Sequence, residues 1–146
     1  MKKLFIAALI VVAAGTSAFA LDVKKVDNKV KSSFEAQFAG AEDVAWNVTE
    51  NYIKATFVLN EEAFEAFFGK DAELIGTSRK VDFKILPAIA KKSIKKEYAS
   101  YKIIDTIEFD REGEKTYFVS LEDGNKKQIL EVSLYGNVHI FKGGVK

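Results

Sequence analysis

The hydrophobic period of this chain switches from helical to alternating, and then makes the same switch a second time. Val23, Val26, Val30, Phe34 and Phe38 are spaced by three and four residues, which places them on one helical stripe over residues 23–38. Gly40 ends that helix. From residue 44 the period is two: Val44, Trp46 and Val48, then Ile53, Ala55, Phe57 and Leu59, then Phe64, Ala66 and Phe68, then a short strand over 73–79. Glu50-Asn51, Asn60-Glu61-Glu62 and Gly69-Lys70-Asp71 interrupt the pattern as polar turns. Leu86, Ile89, Ala90, Ile94 and Tyr98 then share a second helical face, with Pro87 suited to its first turn. Strands are expected again at 102–109, 116–121, 128–134 and 138–141, separated by Glu112-Gly113, Asp123-Gly124-Asn125 and Gly136-Asn137.

The order helix, four strands, helix, four strands reads as a tandem repeat. Val30, Phe34 and Phe38 match Ala90, Ile94 and Tyr98 at an offset of 60, and Phe68-Gly69 matches Tyr135-Gly136 at an offset of 67. Longer hairpins in the second copy would absorb the difference. The fold class is therefore α+β: two pseudo-repeats, about 22–80 and 82–146, each a helix plus a four-stranded antiparallel meander. Units of roughly 60 residues are marginal alone. They are expected to share a core or one sheet, with the helices on one of its faces.

Residues 1–20 read as an address. Lys2 and Lys3 precede an uncharged apolar run at 4–14, and Ala18-Phe19-Ala20 supplies the small residues of a cleavage site. The run is shorter than the roughly 20 residues of a membrane span. Cleavage after Ala20 would leave a single domain over 21–146 with no transmembrane segment, and the expected compartment is the bacterial periplasm. Loss of the two lysines would change the formal charge from +1 to −1, which provides no field to attract nucleic acid. The absence of cysteine removes disulfides, thiolate metal sites and thiol nucleophiles.

Little else in the sequence points to catalysis. His139 is the only histidine, so the commoner metal sites lack ligands. No Gly-x-Ser-x-Gly elbow is present. Glu42-Asp43, Glu61-Glu62 and Glu122-Asp123 are adjacent pairs, and neighbouring strand side chains diverge to opposite faces. Asp110 to Glu114 lacks the spacing of a calcium loop. Lys91, Lys92, Lys95 and Lys96 form a basic helix face that reads first as solvated, and otherwise as a contact for an acidic partner or anionic lipid. No cofactor or metal is expected, and the chain is not read as an enzyme.

The aromatic residues carry more. Adjacent Phe67 and Phe68 must face opposite ways, as must Tyr117 and Phe118, so one of each pair lies off the main core. An antiparallel sheet tolerates one open face, and aromatics dominate interface energetics. Trp46, Tyr52, Phe67, Tyr117 and Tyr135 are the expected anchors of a surface that binds a protein or peptide, by the sheet face or an edge strand. The alternative is a carrier of a lipid or apolar molecule, with a pocket between helices and sheet.

Several segments resemble the PepSY-like family of small exported bacterial proteins, also described as similar to the β-lactamase inhibitor protein (BLIP) fold. Phe38-Ala39-Gly40-Ala41-Glu42-Asp43-Val44-Ala45-Trp46 looks like its helix-end and strand motif. Ile53-Lys54-Ala55-Thr56-Phe57 resembles its aromatic-x-Ala-x-Phe strand with Ile53 in the aromatic position, and Phe64-Glu65-Ala66-Phe67-Phe68 looks like the following strand. Leu86-Pro87-Ala88-Ile89-Ala90, continuing through Ile94 and Tyr98 to Tyr101-Lys102-Ile103, is the best match. Ala39 and Ala99 stand where the family often has proline, and Lys70-Asp71 and Gly136-Asn137 replace its Asp-Gly turns. The resemblance implies helices packed on an antiparallel sheet, no catalytic set, and binding or inhibition of secreted enzymes by analogy of fold.

Overall fold

A computed structural model of the chain describes residues 26–143. The leader expected at 1–20, its cleavage site and the first turn of the 23–38 helix lie outside the described residues, as do residues 144–146. The described chain forms two compact units, one built mainly of residues up to 79 and the other of residues from 80 onward, apart from 110–112. Together they contain two α-helices, a 3-10 turn and eight strands. Neither helix is long and apolar enough to cross a membrane.

The first unit opens with α1 (Asn28–Gln37), shorter at its start than the periodicity predicts. The reason is Asp27, whose carboxylate accepts the Lys29 N–H at 2.8 Å and caps the helix there. Val30 and Phe34 are its buried residues. The helix closes through Phe38 N–H to Phe34 O at 2.8 Å and Ala41 N–H to Phe38 O at 3.0 Å, with Gly40 at φ +86°. Four strands follow, β1 (Glu42–Val48), β2 (Ile53–Leu59), β3 (Glu62–Phe68) and β4 (Leu74–Lys80), each beside the next. Asn60 and Glu61 join β2 to β3 in a two-residue turn with φ of 52° and 67°. Ile53, Ala55, Phe57, Ala66 and Phe68 share the face that α1 covers. Phe34 lies at its centre, with ring centroids 5.0 Å from Phe57 and 5.2 Å from Trp46.

The second unit begins with a 3-10 turn at Phe83–Ile85, capped by Asp82 accepting the Lys84 N–H at 2.8 Å. α2 (Ala88–Glu97) follows. Pro87 has ψ 139° and occupies the cap position, one residue outside the first turn where it was expected. The strands are β5 (Lys102–Arg111), β6 (Glu114–Asp123), β7 (Lys126–Ser133) and β8 (Val138–Ile140), again adjacent in chain order. Leu86, Ala90 and Ile94 pack on Tyr117, Val119, Leu121, Leu130 and Val132.

Some hydrogen bonds and register pairs of the first unit recur in the second, and they align the two stretches differently from the sequence. Phe38 to Phe34 and Ala41 to Phe38 hydrogen bonds recur as Tyr98 to Ile94 and Tyr101 to Tyr98, which keeps the offset of 60. In the sheets Ile53 pairs Phe68 and Ala55 pairs Ala66, while Tyr117 pairs Val132 and Val119 pairs Leu130. Phe68 therefore corresponds to Val132, not to Tyr135. The closing turns agree: Gly69 N–H to Glu73 O at 2.9 Å and Ala72 N–H to Gly69 O at 3.0 Å repeat as Ser133 to Asn137 and Gly136 to Ser133, both at 3.0 Å. Gly69 opens its turn whereas Gly136 closes the other, so matching the two aromatic-glycine pairs slipped the alignment by three residues. The residue equivalent to Gly136 (φ 86°) is Ala72 (φ 68°).

Candidate binding site

Alternation along a strand gives the strands of each unit a second face, turned away from their helix. In the second unit an open groove of about 440 Å³ lies at one end of the strands, where β5 and β7 start and β6 and β8 finish, and both faces line it: Gln128 and Ile140 pair with Leu121 and Leu130 of the α2 side, whereas Ile129 lies on the other. Ile104, Ile129, Ile140 and Phe141 supply apolar walls, and Ser120, Glu122 and Lys127 supply polar ones. Ile104 and Ile140 are 43% and 48% exposed, high for isoleucine. Phe141 is fixed by Phe118, with centroids 5.2 Å apart and the rings near perpendicular. Lys127 lies 3.9 Å from Glu122 across the strand pair. Asp105 beside the groove is ion-paired with Lys80. The charged groups Glu122, Lys127 and Asp105 thus have local partners, while Ile104 and Ile140 are exposed.

In the first unit the face turned away from α1 is closed. Tyr52 and Phe67 are buried there, with ring centroids 5.7 Å apart. Lys54 Nζ donates to Glu65 Oε1 at 2.7 Å, and Ser78 Oγ donates to Glu65 Oε2 at 3.2 Å. Burial pushes the Tyr52 phenol above its ordinary pKa, and the Glu65 carboxylate raises it further. A second groove of about 450 Å³ runs beside α1 and β1, with Phe34, Phe38, Val44 and Trp46 on its apolar side and Lys31 and Glu35 at its rim.

The five expected anchors do not form one patch. Trp46 is half-buried, packed on Phe34 and lining the α1 groove. Phe67 lies off the α1 core, as its alternation with Phe68 requires, but it is only 1% exposed, and its neighbour Tyr52 is 5% exposed. Tyr117 belongs to the core beneath α2, and Phe118 is the member of that pair on the other face. Tyr135 is 85% exposed, in the turn after β7 rather than on a strand. Sequence reasoning did not single out Ile104, Ile129 or Ile140 as binding residues. The available signal was the phase of β6 and β7: once Val119, Leu121, Leu130 and Val132 are assigned to the helix side, Phe118 and Ile129 must lie on the other.

The space between each helix and its sheet, where a carrier pocket was expected, is filled in both units by side chains that are nearly inaccessible, among them Val30, Ala55 and Phe68, and Ala90, Val119 and Leu130. Among the described residues no three histidine, aspartate or glutamate side chains converge as a metal ion requires. His139 is exposed on β8 opposite Glu131.

No family model matches the chain, and no curated protein matches it either. Solved structures do. A DUF2874 family protein from Bacteroides uniformis superposes with a TM-score of 0.70 at 16% identity, over 77% of this chain and 86% of that one. A BLIP-like protein from Bacteroides fragilis gives 0.68 at 18% identity, over 79% and 84%. A third, from Bacteroides eggerthii, gives 0.70 at 16% identity, over 83% and 93%, and its name assigns it provisionally to the periplasm. At these identities the likeness establishes a shared BLIP-like α+β fold.

Proposed function

We propose that this chain is an exported, non-enzymatic binding module that takes a segment of a secreted or envelope protein into the groove of its second unit. The observation that carries the reading is the exposure of Ile104 and Ile140 at an open groove that Phe141 also lines, whereas Phe67 and Lys54 of the first unit are buried. The groove is continuous with an edge. Phe141 N–H donates to Ile129 O, so by alternation Val138 and Ile140 turn their N–H and C=O groups away from β7. An extended segment laid beside β8 would gain those hydrogen bonds and set a side chain against Ile140. The BLIP-like name of one structural neighbour is consistent with such a role. Small-molecule pockets commonly bury about 70–90% of their ligand. This groove is open to solvent and fits a protein side chain better than a carried lipid.

The export part of the proposal rests on the leader-like residues 1–20, and is supported by the name of the Bacteroides eggerthii neighbour. Internal duplication and PepSY-like membership belong to the same proposal, supported by the repeated register and turn hydrogen bonds. The test is affinity capture from the envelope fraction of the source cell with the exported protein and with its Ile104→Asp and Ile140→Asp variants. Both positions are exposed enough for the variants to fold. A protein held by the parent and lost from both variants is the expected outcome. A partner retained equally by all three would place binding elsewhere.

A further inference from the structure

A different surface of the second unit combines exposed apolar side chains with unpaired positive charge. Ile85, Ile89, Leu134 and Tyr135 are 47%, 69%, 48% and 85% exposed, four of the seven large hydrophobic residues exposed among the described ones. They come from two segments that the fold brings together. A Cβ built on Gly136 would lie 3.3 Å from Ile89 Cβ, 3.4 Å from Ala90 N and 3.4 Å from Pro87 Cβ, so the turn after β7 rests on the start of α2. None of the four lines either groove.

The charge around them is one-sided. Residues 80–97 hold six lysines against Asp82 and Glu97, in a chain whose formal charge is only +1. Lys84, Lys92, Lys95 and Lys96 are exposed, and Lys91 Nζ donates to the Lys84 carbonyl at 2.7 Å, which holds that side chain against the turn. Lys92, Lys95 and Lys96 form no ion pair with a described residue.

We propose that this face docks on an anionic phospholipid surface, with Ile85, Ile89, Leu134 and Tyr135 entering the headgroup boundary and the α2 lysines meeting the phosphates. Charge complementarity selects the anion. The apolar group selects the bilayer: the four side chains stand on a turn and a helix start, and a fluid interface accepts them without a matching recess. Tyrosine beside branched aliphatics is a composition suited to that depth. The proposal is independent of the groove, so the protein would hold a partner on one surface while attached by another.

The test is co-sedimentation of the exported protein, purified from the cell fraction where it accumulates, with phosphatidylethanolamine vesicles containing about a third phosphatidylglycerol. Binding should weaken with salt and be absent on phosphatidylcholine vesicles. Lys92→Gln/Lys95→Gln/Lys96→Gln should weaken it by about a hundredfold, at about fivefold per lysine. Ile89→Ser/Tyr135→Ser should weaken it by roughly tenfold or more through lost apolar transfer. Both variants should keep the parent's melting temperature, since the altered side chains are exposed, and Ile104→Asp should bind vesicles as the parent does. Equal binding to neutral vesicles, unchanged binding by both variants, or no binding at low salt would overturn the proposal. Capture of polyglutamate through the same lysines without vesicle binding would also overturn it and point to an acidic protein instead.

Discussion

Replacing Glu65 by alanine should destabilise the protein far more than a surface change does, and the reason lies in what it leaves behind. The Lys54 side chain is 9% exposed, and its ammonium is held by Glu65 at 2.7 Å. Without that carboxylate, a buried positive charge and the Ser78 hydroxyl both lose their acceptor. Breaking a buried ion pair from one side costs about 3–5 kcal/mol. The Glu65 side chain is 23% exposed, so water relieves part of this, and about 2–3 kcal/mol is expected. That corresponds to a fall of about 10 °C in melting temperature for a chain of this size. The double variant Lys54→Met/Glu65→Leu removes both charges and should lie within about 1 kcal/mol of the parent. Urea unfolding followed by circular dichroism, run as a double-mutant cycle, measures both quantities. A loss below about 0.5 kcal/mol for Glu65→Ala would mean that water reaches Lys54, and the first-unit sheet face would then be open rather than sealed.

Three further outcomes follow from the same geometry. Phe67→Ala should cost about 3–5 kcal/mol because the ring is 1% exposed, whereas Tyr135→Ala, at 85% exposed, should change unfolding free energy by less than about 0.5 kcal/mol. In the equivalent turns, Gly136→Ala should destabilise by about 1–2 kcal/mol, through its φ of 86° and the contacts its Cβ would make with α2, while Ala72→Gly should stabilise by a few tenths to about 1 kcal/mol; thermal melts read both. The buried Tyr52 phenol has a raised pKa, so its contribution to stability is fully present below the ordinary value of 10.0 and is lost as the pH climbs through the higher folded value. Glu65→Gln removes the secondary cause of that shift, and the alkaline absorbance titration of Tyr52 should move to lower pH.

Most of the fold was legible because period and turn chemistry agree. The expected span 53–59 is the observed β2, and every other strand falls within a few residues of its expected limits. The α1 start was misjudged because Val26 continues the apolar stripe and is buried, yet Asp27 caps the helix just after it. The site was less legible. Alternation separates Phe67 from Phe68, but it does not say whether the second face is covered, and here Phe67 is covered. Within Tyr117-Phe118 the larger polar aromatic looked like the anchor, whereas the in-register pairing of Val119 with Leu130 commits Tyr117 to the α2 side. Aliphatic residues at strand ends carry no compositional mark of binding, so the groove emerges only when β5 to β8 are placed side by side.

The most direct test of the binding proposal is photo-cross-linking in the living source cell, with a photoreactive residue placed singly at Ile104, Ile140, Lys31 or Glu35. The last two line the α1 groove and serve as the comparison. One protein of constant mass, cross-linked from Ile104 and Ile140 and from neither of the others, is the expected result. Cross-links confined to Lys31 and Glu35 would assign binding to the α1 groove and contradict the second-unit site.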